Sequence, residues 1–402
     1  MMRVKIHRGQ NQIGGSIIEI AADHARIILD VGIELNESAH PVVPEIEGLF
    51  CGEPRYNAVF VSHYHSDHVG LAEKILPNIP IYMGEKAFDI MKTLKEYREN
   101  SAGFLPGFMR NGESIIIGDL KITPVSCDHS AFDSYMLLIE NEDSKVLYTG
   151  DFRANGRGEF DELLKRLPIV DVMIIEGTML SRGYDGRNME EENLEKIGTE
   201  FLTKYDGPAF VFCSATNVDR LITVRNIARN TGRIFLEDVY TAQIAEQSGV
   251  MDISPENSET YVFQTDRSEK QHSVLLKYNF AKIGRESISK EKFMMMVRPS
   301  MKRYLEKLSE KVSFQDGVLF YALWKGYQEN GTVRDFLDFM EQKGCKIHVL
   351  HTSGHADRQS IDELVNAVKP KKIIPVHTEN AEYFMKFSKS VEVIINTNEI
   401  SV

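Results

Sequence analysis

Cysteine is scarce in this chain and never paired: Cys51, Cys127, Cys213 and Cys345 lie far apart and form no CxxC spacing. That excludes a cysteine zinc finger and a disulfide-stapled secreted fold, and it fits reduced thiols. No apolar run approaches the roughly 18–20 residues of a membrane span. Residues 1–7 lack the apolar core of a secretion signal, so a cytoplasmic protein with no membrane partner is expected. Repeats, low-complexity tracts and proline-rich linkers are missing as well. Positive charge is short: 47 Lys and Arg against 59 Asp and Glu leave a net −12, which argues against a nucleic-acid partner held by overall charge. The deficit is uneven. Residues 270–310 hold ten Lys and Arg against four Glu, a local +6, and a local basic face can bind a polyanion whatever the global sign. The rest is ordinary for a globular chain of 402 residues, 42 % hydrophobic and 26 % charged, long enough for two domains or one with a large insert.

What is present is concentrated. Directly after the apolar run Ala58, Val59, Phe60, Val61 comes His63-Tyr64-His65-Ser66-Asp67-His68. Three imidazoles and a carboxylate in one turn make a poor core segment, because each would need a buried partner. They make a good metal site, since neutral imidazole and carboxylate suit zinc and manganese. Five further head groups repeat the design at strand ends or turns. His129 follows Val125-Ser126-Cys127-Asp128, Asp151 closes Leu147-Tyr148-Thr149-Gly150, Glu176 closes Val172-Met173-Ile174-Ile175, His355 sits in Ser353-Gly354-His355-Ala356, and His377 follows Ile374-Pro375-Val376. One such residue alone would be an ordinary structural group; five indicate a shared site. Two divalent ions about 3.5–4 Å apart can acidify a shared water and clamp a phosphoryl oxygen, with a carboxylate such as Asp151 setting their separation. His355, an extra histidine near a ligand, is the candidate proton donor to a departing alkoxide, and Glu176 is placed to hold its tautomer.

Strands alternate with turns over residues 1–180, including a hairpin at 16–20 and 25–30, a helix at 70–76, and strands at 114–117, 121–126, 135–140, 145–149 and 171–175. From about 190 the pattern becomes helix-strand alternation: a helix at 190–205, a strand at 209–213, a helix at 218–230, a helix-rich basic stretch at 272–310, a strand at 317–323 and a helix at 333–342. A strand-like style returns at 346–350 and 372–376 around a helix at 358–368. A discontinuous first domain, 1–190 with 345–402, interrupted by an α/β domain over 191–344, is expected.

The histidine motif and the later head groups resemble the metallo-β-lactamase fold, whose HxHxDH signature is matched in full. Glu176, 25 residues after Asp151, and His355, 22 before His377, resemble the β-CASP branch of nucleases, and within it ribonuclease J-type RNA-metabolising hydrolases. The resemblance implies a metallo-β-lactamase αββα sandwich with an inserted β-CASP α/β domain. It also implies that His63, His65 and His129 hold one metal and Asp67, His68 and His377 the other, with Asp151 bridging, zinc the leading ion and manganese the alternative. Asp67, Glu176 and His355 would be the catalytic residues. Glu176, His355 and His377 match the branch's first, second and third extra motifs; the third tends to be valine in the DNA-cleaving enzymes, so His377 favours RNA.

Two turns suit phosphate. Ser353, Gly354 and Ala356 offer backbone N–H groups before a helix, and Thr216 and Asn217 do the same after a buried strand; a helix N-cap is the competing reading there. Thr216-Asn217 with its continuation Val218-Asp219-Arg220 resembles a Ser-Asn-x-x-x-Arg-like stretch of ribonuclease J, with Thr216 where serine is usual. Arg298 is a candidate backbone contact, and Trp324, beside Tyr321 and Tyr327, a candidate base-stacking residue. Ribonuclease J enzymes usually carry a further C-terminal domain, whereas 25 residues follow His377 here. The leading expectation is a two-metal 5′-to-3′ exoribonuclease with endonuclease capacity acting on single-stranded RNA, with a homodimer left open. A DNA nuclease of the same fold and a non-catalytic RNA-binding scaffold are the alternatives. Thioester or lactam hydrolysis would need neither the insert nor Glu176 and His355.

Overall fold

The computed structural model describes residues 1–35, 41–98, 100–183, 185–257, 259–266 and 268–402. The chain divides into two compact units, residues 1–188 with 354–402 and residues 189–353.

Two seven-stranded sheets form the first unit. One runs through Glu399–Ser401, Arg3–Arg8, Ile17–Ala21, Arg26–Leu29, Ala58–Phe60, Ile81–Gly84 and Gly107–Met109; the other through Glu392–Val393, Lys372–Pro375, Val172–Ile175, Lys145–Tyr148, Ser134–Glu140, Leu120–Cys127 and Ile115–Ile117. The expected hairpin forms, with Ile18 opposite Leu29 and Ile20 opposite Ile27. β-branched and aliphatic side chains suit such a pleated surface. Ile18, Ile20, Ile27, Leu29 and Phe60 of the first sheet share one core with Leu137, Ile139, Val146, Tyr148, Val172 and Ile174 of the second, so the sheets stack face to face. On its other face the second sheet turns Leu138, Leu147, Met173 and Ile175 against Phe160 and Leu163 of helix Phe160–Arg166 and Ile361 and Leu364 of helix Arg358–Val368. Strands covered on both faces read as unbroken apolar runs, and Val172–Ile175 is buried throughout. Helix Glu85–Tyr97, which follows strand Ile81–Gly84 of the first sheet, buries Ala87, Phe88, Ile90 and Met91. The αββα sandwich is therefore the one the sequence implies.

Strand direction decides where the polar ends go. Lys145–Tyr148, Val172–Ile175 and Lys372–Pro375 are parallel neighbours, with Tyr148 opposite Ile174 and Ile175 opposite Pro375. Asp151, Glu176 and His377 therefore leave the second sheet at one edge. In the first sheet Arg26–Leu29 and Ala58–Phe60 run parallel with Leu29 opposite Phe60, so Asp30 and His63 likewise leave together. Open sheets bind ligands outside the carboxyl ends of their parallel strands for this reason. The histidine-bearing helix Ser66–Val69 is clamped to the segment after Arg26–Leu29: Val31 N–H donates to His68 O at 2.7 Å and Ile33 N–H to Ser66 O at 3.0 Å. A Cβ at Gly32 would stand 1.6 Å from the carbonyl oxygen of Asp67. Only glycine allows that approach.

The second unit is a six-stranded, all-parallel sheet in the order Thr260–Phe263, Ile234–Asp238, Phe293–Met296, Ala209–Phe212, Val318–Tyr321, Lys346–Val349. Its helices include Glu191–Thr203, Val218–Asn230, Val239–Ser248, Lys302–Ser309 and Gly331–Gln342, the expected α/β alternation. Three local expectations fail. The stretch read as helix-rich contains Phe293–Met296, a fully buried strand, because a Phe followed by methionines carries no period that separates strand from helix. Where a helix was expected at 70–76 there is only the 3₁₀ turn Ala72–Lys74. Lys346–Val349, assigned to the returning first domain, pairs in parallel with Val318–Tyr321 of the second unit. The unit boundary accordingly falls at 353/354 and not at 344/345, and the earlier one at 188/189.

Candidate metal centre

The polar strand ends of the first unit converge. Ligand atoms of His63, His65 and His129 lie within 4.8 Å of one another, and so do those of Asp67, His68 and His377. Asp151 stands between the groups: its Oδ2 is 3.8 Å from His63 Nε2, 3.3 Å from His68 Nε2 and 3.9 Å from His129 Nε2, while its Oδ1 is 3.7 Å from His377 Nδ1. His65 Nδ1 faces His129 Nε2 at 3.2 Å and Asp67 Oδ2 faces His377 Nε2 at 3.1 Å.

Nε2 of His63 and of His68, Nδ1 of His129 and both oxygens of Asp151 are buried without a hydrogen bond. Each such group would ordinarily cost about 1–3 kcal/mol, and a charged one more. Divalent cations would satisfy the His63 and His68 nitrogens and both Asp151 oxygens together, and the imidazole and carboxylate donor set suits zinc or manganese. The side chains present fit a divalent-metal site.

The electrostatics follow from crowding. Burial and the neighbouring imidazoles hold His63 and His129 well below the usual histidine range. Burial brings His65 down to about 4 against the opposing pull of Asp67 and Asp151. These three are neutral, the form that binds metal. His68 goes the other way: burial would lower it, but Asp151, Asp30 and Asp67 outweigh burial and raise it well above the usual range. Burial would raise Asp151, yet His377, His68 and His355 hold it well below the carboxylate range.

Glu176 is fully buried and held by the backbone. Phe152 N–H donates to its Oε1 at 3.1 Å and Thr178 N–H to its Oε2 at 3.1 Å. His355 Nδ1 lies 3.4 Å from Glu176 Oε2 and 3.5 Å from Asp151 Oδ2. Burial would lower the His355 pKa, but Glu176 and Asp151 raise it. Cys127 donates its thiol to the Asp151 carbonyl at 3.8 Å.

Two supports were not anticipated from the sequence. Asp30, fully buried, accepts from Ser62 N–H at 2.7 Å, Ser62 Oγ–H at 2.8 Å and Tyr148 O–H at 2.6 Å, and lies 2.7 Å from His68 Nδ1. It had the same signal as the others, a carboxylate closing the apolar strand Ile27-Ile28-Leu29. Thr178 Oγ1 lies 2.8 Å from His377 Nδ1, and nothing local in the sequence marks it.

The phosphate-binding expectations fare differently. Ala356 is buried and its N–H points to Glu176 Oε1 at 3.5 Å, not to an open turn. Gly354 is needed for a close approach to protein: a Cβ there would meet Ser130 Oγ at 2.5 Å. Ser353 is largely buried and closes the second unit. Asn217 caps helix Val218–Asn230, accepting from Arg220 N–H at 3.1 Å, and Thr216 Oγ1 pairs with Ser214 Oγ at 2.8 Å; the capping alternative describes this turn. Arg220 is buried against Glu191. Arg298 is no open backbone contact either, because Asp238, fully buried, binds both of its terminal nitrogens and Tyr240 lies under it at 5.1 Å. Trp324 is exposed and meets Tyr327 edge-on at 5.5 Å.

Residues 25–191 match the beta-lactamase superfamily domain, and residues 342–392 match the Zn-dependent metallo-hydrolase RNA specificity domain. Over most of its length the chain is similar to ribonuclease J. Ribonuclease J 2 of Staphylococcus epidermidis is 22 % identical over 396 residues, covering 92 % of this chain and 68 % of its own. Ribonuclease J of Sinorhizobium meliloti is 20 % identical over 378 residues, covering 88 % of this chain and 64 % of its own. The chain thus spans about two thirds of the length of these relatives. A crystal structure of a protein of unknown function from Enterococcus faecalis shares the fold, with a TM-score of 0.82 at 19 % identity over 100 % of both chains. Among the described residues no helix is long and apolar enough to cross a membrane.

Proposed function

We propose that this chain is a metal-dependent hydrolase of RNA phosphodiester bonds, acting on single-stranded RNA from the 5′ end with some endonucleolytic capacity. Asp151 carries the reading. It is a carboxylate 2 % exposed, with both oxygens lacking hydrogen bonds, set between two ligand groups. In this reading His63, His65 and His129 hold one ion, Asp67, His68 and His377 the other, and Asp151 serves both, with zinc the native metal and manganese the alternative. Bound there, two divalent ions supply Lewis acidity at the phosphoryl oxygen and a water acidified toward neutral pH. His63, His65 and His129, kept neutral by burial, need lose no proton before binding. His355, its Nδ1–H facing Glu176 and Asp151, presents Nε2–H to the departing alkoxide. Glu176, anchored by backbone N–H groups, keeps that imidazole oriented. RNA is supported as the substrate by the RNA specificity domain match at 342–392 and by the ribonuclease J relatives.

The deciding assay offers the purified chain 5′-monophosphate and 5′-triphosphate RNA and DNA oligomers with zinc or manganese. Stepwise loss of nucleotides from the 5′ end of RNA alone is expected. Turnover of DNA at an equal rate, or no cleavage with either ion, overturns the reading.

A further inference from the structure

The basic stretch 270–310 is not a uniform positive face. Several of its charges are spent within the second unit: Arg298 on Asp238, and Lys292 on Asp206 at 2.9 Å. Four others converge. Lys282, Arg285, Arg303 and Lys307 line one cavity of about 600 Å³. Among the described residues none of these four forms a salt bridge. The two carboxylates on the wall are already engaged. Glu286 is bound by Lys311 at 2.6 Å, while Asp266 accepts from Ser268 N–H and from Gln271 Nε2, each at 2.8 Å.

Arg303 and Lys307 stand one turn apart on helix Lys302–Ser309, a like-charge spacing that opposes helix formation. Bringing Lys282 and Arg285 to the same cavity adds to that repulsion, which an anion would reverse. The wall also contains Tyr304, 4 % exposed, whose hydroxyl makes no hydrogen bond. Its ring stacks on Phe263 at 4.9 Å and carries Arg285 at 5.3 Å on the centroid. With Phe263 and Arg285 already against the ring, a nucleobase has little room to stack there. The chemistry on offer is for phosphate: point charges from the lysines and planar forks from the arginines.

We propose that this cavity of the second unit binds phosphate groups, of a free nucleotide or of a nucleic-acid backbone, and that it does so independently of the histidine and carboxylate cluster, with which it shares no residue. The proposal goes beyond the hydrolase reading and stands if that reading fails.

The full chain is titrated, with chelator present so that nothing is cleaved, against inorganic phosphate, ADP and an oligoribonucleotide of about 12 nucleotides at several salt concentrations. The same titrations are run on the double variants Arg303→Glu/Lys307→Glu and Arg303→Gln/Lys307→Gln, both at exposed positions. The charge reversal is expected to weaken binding at least about tenfold and to flatten the log–log salt slope by about 1.5–2, with the neutral pair intermediate. Hydrolysis of a small phosphodiester by the metal-loaded variants should stay unchanged, which separates this site from the proposed activity. ADP that competes the oligomer away identifies a nucleotide pocket; binding of the oligomer alone identifies a backbone track. If the reversed pair fails to fold, the glutamine pair decides. Affinities and salt slopes equal to those of the unmodified chain for every probe, or no binding of any probe, overturn the proposal.

Discussion

Asp30 lies 2.7 Å from the Nδ1 of His68, and this contact turns the other ring nitrogen, Nε2, toward Asp151. A histidine ligand oriented by a buried carboxylate binds metal more tightly, because its tautomer and ring angle are set in advance. Asp30→Asn keeps the volume but offers His68 an amide whose hydrogens compete with the ring N–H. The variant is expected to lose about 10–100-fold in affinity for one ion, measured by competition with a chromogenic chelator. Unchanged affinity would make Asp30 a support for Ser62 and Tyr148 only.

Asp151→Ala removes the carboxylate between the two ligand groups. Metal analysis should find two ions per chain before the change and at most one after it, with RNA cleavage abolished. A chain that holds at most one ion under saturating zinc or manganese, before any substitution, would defeat the two-ion reading.

His355 also lies in a possible ligand group with His129 and Asp151, so its role needs separating from metal binding. His355→Ala is expected to keep both ions and to lose at least about 10²-fold in turnover, the usual size of a proton-transfer contribution. Loss of an ion from that variant would show that His355 is a ligand and that the leaving group finds its proton elsewhere.

Glu237 supplies a pH prediction away from the cluster. Its side chain is fully buried, neither oxygen makes a hydrogen bond, and burial together with Asp238 raises its pKa well above the usual carboxyl range. The folded chain therefore prefers the protonated acid. The stabilising contribution of that proton is complete below the unfolded value of about 4.3 and is lost as pH rises toward the folded value, at about 1.4 kcal/mol per pH unit between the two. Glu237→Gln has no proton to lose. Thermal melts should show the variant gaining on the parent as pH rises from 5 to 8; parallel curves would mean that the carboxyl finds a partner in solution.

The cluster was legible because each member announces itself locally, as a metal-compatible head group behind an apolar strand, and the sheet edges do the rest. Asp30 carries that signal too, but its strand reads first as half of a hairpin. The pairing of Arg298 with Asp238 spans 60 residues, a separation that sequence spacing alone does not resolve. The same holds for Lys346–Val349, whose exposure pattern is mixed and whose partner strand, not its own residues, decides which unit it joins. Phe293–Met296 was hidden for the opposite reason: a fully buried strand needs no alternation, so its composition leaves strand and helix undistinguished.

Strand Lys372–Pro375, which delivers His377, pairs with Val172–Ile175 in the interior of the second sheet, yet the whole of residues 189–353 separates the two parts of that unit. On a ribosome the chain is made from its N-terminus, and domains tend to fold as they emerge. Six of the seven proposed ligands would be in place while the seventh was still unmade, and His355 would be missing with it. Synthesis order thus delays the proposed centre: a nascent chain of this design would lack its seventh ligand until nearly all of the present sequence had been translated.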